Sequence, residues 1–157
     1  MKRVLFVCLG NICRSPTAEG VLRGLIERRG LGSEVEVDSA GTGAWHVGQR
    51  ADPRMRRAAA ARGYDLSSLA RQVRAEDFER FDLVIAMDRD NLADLEALNG
   101  GPRASLRLFS SFLPAGSPPD VPDPYYGGAE GFDRVLDLVE EGSPAILDSL
   151  VGEPGGT

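Results

Sequence analysis

The apolar positions of this chain change period several times, and each change marks an element. Val4 to Val7 is an unbroken apolar run ending in Cys8, the pattern of a strand covered on both faces. Beyond it, Val21, Leu22, Leu25 and Ile26 fall on one side of a helix. Ser15 is placed to cap that helix, Pro16 suits its first turn, Glu19 lies near its start and Gly30 suits its stop. A second strand is expected over Val35 to Asp38, before the turn-rich SAGTGAW, and a helix over Pro53 to Arg62, closed by Gly63. Phe81 to Ala86 reads as another buried strand, leading into a helix over Asn91 to Leu98, and Leu106 to Phe109 as a fourth strand. The last amphipathic helix covers Phe132 to Val139, with an extension to Leu150. Strands alternating with helices predict a parallel, doubly wound α/β sheet. No repeat or linker divides the chain: residues 1–152 read as one domain and 153–157 as a flexible tail.

Composition narrows the picture without redrawing it. With 157 residues, 42% hydrophobic and 27% charged, the chain has the size and balance of one globular domain. It starts almost directly on a strand-like run, with neither the leader of a secreted protein nor a membrane span, so a cytoplasmic protein is expected. Cysteines there stay reduced and serve metal binding, redox chemistry or catalysis. Two cysteines and one histidine, His46, are too few for a structural zinc site. The net charge of −6 and the lack of a basic tract speak against nucleic acid as a partner.

The two cysteines stand together in CLGNICRSP, residues 8–16, directly after the first strand. A strand-to-helix turn exposes several backbone N–H groups at a helix start, which is a cradle for an anion such as phosphate. Gly10 relaxes the limits on backbone curvature there, and Asn11 tolerates a left-handed conformation. Arg14 can grip two phosphate oxygens through its planar fork. Cys8 sits at the bottom, where the same positive field favours thiolate, a nucleophile beneath phosphorus. The bland alternative is a buried strand cysteine and a surface arginine. The preceding strand, the glycine and the Ser-Pro at the helix start weigh against it. The loop is no nucleotide-binding P-loop, because Gly-Lys-Ser/Thr is absent.

A thiolate nucleophile needs a proton donor for the leaving group. His46, in a glycine-rich loop, reads as a solvated or structural residue, which leaves Asp123 of DPYYGG as the candidate. That segment belongs to a long proline- and glycine-rich stretch, residues 110–131, beyond the end of a predicted strand. Ligands of open α/β sheets bind at that edge. Desolvation near aromatic walls would raise the Asp123 carboxyl, although Asp123 also suits a turn-starting role before Pro124. Trp45, Tyr125 and Tyr126 are either core aromatics or, as their turn-rich surroundings favour, walls of a groove for a flat ring.

At these residues the chain strongly resembles the low-molecular-weight protein tyrosine phosphatases. VCLGNICRSPTAEG, SAGTGAW, LARQV, AMDRDNL and DPYYGG follow in matching order over nearly the whole length. The resemblance implies a four-stranded parallel sheet with helices on both faces. It implies Cys8 as nucleophile, Arg14 as phosphate and transition-state clamp, and Asp123 as general acid and then base. Leu9, Gly10, Asn11, Ile12, Cys13 and Arg14 would bind the phosphate. Asn11, Ser15 and Ser39 would hold the loop and the thiolate by hydrogen bonds, and Asp88 would support them. Phosphocysteine would form and then be hydrolysed, with inorganic phosphate as product and no metal or other cofactor. The expected partner is a tyrosine-phosphorylated protein or peptide, with no nucleic acid and no membrane, and the enzyme a monomer or weak dimer. Cys13 would form a reversible disulfide with Cys8 under oxidant, sparing Cys8 from deeper oxidation, or be a buried bystander.

Three rival readings stand beside this one. Thioredoxin-coupled arsenate reductases share the C-x5-R loop but need further cysteines, and none follows Cys13. Protein-arginine phosphatases carry threonine where this loop has Ile12, whose apolar side chain favours an aromatic ester. A non-catalytic phosphate-binding module would need neither Cys8 nor Asp123. One departure from the family is Ser68, where some members carry a histidine that supports the loop.

Overall fold

The computed structural model describes residues 1–98 and 105–152. Its strands are β1 (Lys2–Cys8), β2 (Val35–Gly41), β3 (Leu83–Ala86) and β4 (Ser105–Leu108). Its helices are α1 (Arg14–Arg28), α2 (Pro53–Ala60), α3 (Asp77–Arg80), α4 (Arg89–Leu98) and α5 (Ala129–Val151), with a 3-10 turn over Phe109–Phe112. The strands form one sheet in the order β2-β1-β3-β4, every neighbouring pair parallel.

The apolar run of β1 has the two-sided burial its sequence predicted. Val4, Phe6 and Cys8 face one layer with Leu22 and Ile26 of α1 and Leu136, Val139 and Ile146 of α5. Leu5 and Val7 face the other, with Val84 and Ala86 of β3, Phe78 of α3 and Leu95 of α4. A central parallel strand pairs on both edges and is covered on both faces, so it has no polar side to spare.

Several boundaries differ from the sequence expectation. β2 runs three residues past Asp38, because Ser39, Ala40 and Gly41 pair with Phe6, Val7 and Cys8. A Cβ on Gly41 would lie 2.8 Å from the Leu9 carbonyl oxygen, so only glycine lets this strand end pass the loop. Phe81 and Asp82 precede β3, and the four-residue α3 has no periodic signal of its own. Phe109 leaves the fourth strand to pack its ring against Gly142 of α5. That last helix is continuous from Ala129 to Val151 despite Pro144 inside it. Gly30, with φ of 67°, follows the end of α1 as expected. The tail over 153–157 falls outside the described residues. No described helix is long and apolar enough to cross a membrane.

Candidate active site

Cys8 ends β1 at the carboxyl edge of the sheet, and residues 9–13 carry the chain from there into α1. Asn11 takes the left-handed conformation expected of it, with φ of 57°. That turn aims its backbone N–H at the Cys8 sulfur, 3.3 Å away. Gly10 is not left-handed. A Cβ there would meet the His46 ring at 3.0 Å, so the glycine makes room for a neighbour and the curvature falls to Asn11. Among the described residues the N–H groups of Gly10, Ile12 and Cys13 have no protein acceptor. Such N–H groups beside a helix start suit a bound anion.

Ser15 is not the helix cap. The boundary residue is Cys13, and the Ser15 hydroxyl turns inward, 3.0 Å from the Cys8 sulfur. It also accepts from the Asn11 side-chain amide at 2.8 Å. That amide donates equally to Ser39 Oγ at 2.9 Å, and Asn11 Oδ1 accepts from the Arg71 backbone N–H at 3.0 Å. Every side-chain polar group of Asn11 is therefore spent on loop shape. Ser39 donates onward to Glu19 Oε1. Sequence reasoning placed Glu19 only as an acid near a helix start. Its carboxylate is buried and anchors the network, and the signal that could have found it is an acid on the inward face of α1, beside Leu22 and Ile26.

Arg14 is 3% exposed and held from several directions. Its Nη1 donates to Asp88 Oδ2 at 2.5 Å and to the Val121 carbonyl at 3.1 Å, and its Nη2 lies 3.7 Å from Asp123 Oδ2. Burial alone would lower the guanidinium pKa. Negative charge at Cys8, the Asp88 hydrogen bond and the charges of Asp88 and Asp123 outweigh it and raise the pKa above the ordinary value. Asp88 Oδ1 accepts from the Asn91 N–H at 2.7 Å, which fixes the carboxylate against the start of α4. Asp123 divides its two oxygens. Oδ1 accepts from the Tyr125 N–H at 3.0 Å, the turn its Pro124 suggested, while Oδ2 faces Arg14.

These groups line one cavity of about 390 Å³. Cys8, Cys13 and Arg14 form its depth, Asp123 one flank, and Ile12, Trp45, Tyr125 and Tyr126 its apolar walls. Trp45 is 71% and Tyr126 92% exposed, so neither is a core aromatic. Leu9 and Gly10 reach the rim, whereas Asn11, Ser15, Ser39 and Asp88 stand behind it. His46 lines the cavity as well. Its Nδ1 is 3.0 Å from Gln49 Oε1 and its ring 6.1 Å from that of Tyr125. Of the two readings, solvated or structural, these contacts favour the structural one, at a place on the cavity wall that neither reading gave it. Cys13 is a buried free thiol. Burial first, then the negative charges of Asp52, Cys8 and Asp123, push it above the ordinary thiol range against a smaller opposing pull from Arg54.

Residues 3–154 match the family model described as low molecular weight phosphotyrosine protein phosphatase. The chain is 51% identical over 152 residues to the low molecular weight protein-tyrosine-phosphatase of Streptomyces coelicolor, spanning 94% of this chain and 93% of that protein. Among solved structures it is similar to the protein tyrosine phosphatase of Entamoeba histolytica with Hepes in its active site. That similarity has a TM-score of 0.92 and 41% identity over 96% of this chain and 97% of that one. The chain is also similar to the crystal structure of DARP, the drosophila arginine phosphatase, at a TM-score of 0.88 and 35% identity, covering 95% of this chain and 97% of that one.

Proposed function

The chain belongs to the low molecular weight phosphotyrosine protein phosphatase family, and from that premise we propose that it hydrolyses phosphotyrosine through Cys8, Arg14 and Asp123. One observation carries the reading: the Cys8 sulfur, the Arg14 guanidinium and the Asp123 carboxyl line a single cavity, with Asp123 Oδ2 3.7 Å from Arg14. Nucleophile, anion clamp and proton donor are the three parts that the chemistry needs.

The reaction has two displacements. The Cys8 thiolate attacks phosphorus, the bond from phosphorus to the phenolic oxygen breaks, and Asp123 gives that oxygen its proton. Asp123, now a carboxylate, takes a proton from water as the water attacks the phosphocysteine. The sulfur–phosphorus bond breaks, and inorganic phosphate leaves with the thiolate restored. Negative charge on sulfur is met by the Asn11 N–H and the Ser15 hydroxyl. Charge on the phosphoryl oxygens is met by the Arg14 guanidinium and the loop N–H groups of Gly10, Ile12 and Cys13, which have no protein acceptor among the described residues. The apolar walls at Ile12, Trp45 and Tyr125 suit the ring of the leaving group. The partner of this site is a tyrosine-phosphorylated protein or peptide.

A second reading, phosphoarginine as substrate, draws on the likeness to the drosophila arginine phosphatase. Ile12 on the cavity wall speaks for the aromatic ester. The deciding experiment compares turnover of phosphotyrosine and phosphoarginine peptides without added metal, with Cys8→Ser alongside. Phosphotyrosine turnover that Cys8→Ser abolishes is expected. Normal turnover by Cys8→Ser, or turnover of phosphoarginine alone, would overturn the reading.

A further inference from the structure

Arg50, Arg54, Arg56, Arg57 and Arg62 fall within residues 50–62, a segment whose one acid is Asp52, in a chain of net charge −6. Asp52 is buried and paired with Arg54, so it does not offset the others. Arg54, Arg57 and Arg62 line a second cavity, of about 480 Å³, with Gly127, Gly128 and Phe132. Asp133, the acid on its wall, pairs with Arg62, which Asp137 and Glu140 also hold. Arg57 differs from both. It is exposed on α2 and its side chain has no ion pair or hydrogen bond among the described residues.

This cavity adjoins the catalytic one through Arg54. The Arg54 guanidinium lies over the Tyr125 ring, 5.4 Å from its centroid, and donates to the Tyr125 carbonyl at 3.2 Å. Tyr125 in turn walls the cavity above Cys8. An extended peptide advances roughly 3.3 Å per residue, so a few residues carry it across that contact.

We propose that the second cavity is a specificity subsite for a carboxylate of the substrate peptide, an Asp or Glu side chain one to three positions from the phosphotyrosine, with Arg57 as its free cation. The inference rests on the phosphotyrosine reading above. A guanidinium binds a carboxylate through parallel N–H donors. The predominantly acidic remainder of the molecule repels the same peptide, so this edge of the site steers an acidic segment into register.

The test compares kcat/KM for phosphotyrosine peptides flanked on both sides by Glu, by Gln or by Lys, using wild type, Arg57→Gln and Arg57→Glu. p-Nitrophenyl phosphate serves as a probe that occupies the catalytic cavity alone. Wild type is expected to favour the Glu peptide over the Gln peptide by roughly three- to tenfold at low ionic strength, and less at high salt. Arg57→Gln should bring that ratio to about one, and Arg57→Glu should invert it. A wild-type ratio of one, or a ratio that neither substitution moves, overturns the subsite. Wild-type turnover of the aryl phosphate with indifference to flanking charge overturns the subsite alone, whereas no turnover of the aryl phosphate overturns the catalytic reading beneath it.

Discussion

Ser39 donates a 2.5 Å hydrogen bond to Glu19, and both side chains are buried. Because the Ser39 hydroxyl hydrogen is directed at Glu19, the hydroxyl oxygen is left to accept from the Asn11 amide. The amide is thereby set toward Ser15 as well, and Ser15 toward the sulfur. The other oxygen of Glu19 accepts from Arg23. Glu19→Ala is expected to lower unfolding free energy by about 2 to 3 kcal/mol, since it strands buried polar partners. It should also cut kcat more than it changes KM. Urea unfolding and steady-state kinetics check both, and an unfolding midpoint equal to wild type would remove Glu19 from the network.

The Asp88 carboxylate makes the short hydrogen bond to Arg14, a guanidinium with almost no access to water. Asp88→Ala leaves that charge with the Val121 carbonyl and the more distant Asp123. A hydrogen bond to a charged group contributes about 1.5 to 3 kcal/mol, so a loss of about tenfold or more in kcat/KM is expected. Inhibition by inorganic phosphate should weaken in parallel. Unaltered phosphate inhibition would show that Arg14 holds its orientation without Asp88.

Asp123→Ala separates chemistry from binding. Removal of a general acid costs about 10² to 10⁴ in rate, while Arg14 and the loop N–H groups remain to hold phosphate. Turnover should therefore fall by that range with phosphate affinity retained. The loss should be smallest for phenols that leave readily without a proton. A uniform loss across leaving groups would assign the proton to another residue.

The parts of this molecule that were legible in the sequence are those whose cause is local. The apolar run of β1 announced its burial, and Asn11 its left-handed turn. What the sequence concealed depends on groups distant along the chain. Ser15 follows the local rule for a cap, yet Asn11 and Cys8 draw its hydroxyl inward. Glu19 meets Ser39 only because β1 pairs with β2 and α1 lies against them. β2 continues through a turn-like Ser-Ala-Gly because a neighbouring strand supplies the ladder, a tertiary effect that outweighs propensity. His46 reaches the cavity because Gly10 leaves it room, which no pattern around His46 itself reveals.

Asp52 caps α2 by accepting from the Arg54 N–H at 2.8 Å. The Arg54 side-chain hydrogen bond, aided by the Arg54 and Met55 N–H groups and the Arg54 charge, outweighs burial and holds the carboxyl below its usual range. A depressed folded pKa adds stability that is present above the unfolded value of about 3.9 and lost as pH falls through the folded value. Asp52→Asn should therefore be less stable than wild type at neutral pH. The gap should be constant down to about pH 5 and close progressively below pH 4. Unfolding curves across that range check the sign, and a gap that widened in acid would reverse it.

Cys13 and Cys8 share one cavity but not one reactivity. Burial, followed by the surrounding negative charges, keeps Cys13 a protonated thiol well beyond neutral pH, and the thiolate is the species that alkylates. Iodoacetamide at neutral pH should label the folded enzyme at Cys8, be blocked by inorganic phosphate, and reach Cys13 only after unfolding. Peptide mass mapping reads all three, and comparable labelling of both cysteines in the folded enzyme would refute the assignment. Peroxide extends the test. It should convert the Cys8 thiolate to a sulfenic acid. If Cys13 is the resolving residue, its sulfur then displaces the hydroxyl, the Cys13 proton leaving with it as water, to form a disulfide that added thiols reduce. Cys13→Ser lacks that exit, so its peroxide inactivation should progress to a form that thiols do not restore. Full recovery of Cys13→Ser by thiols would leave Cys13 a packing residue.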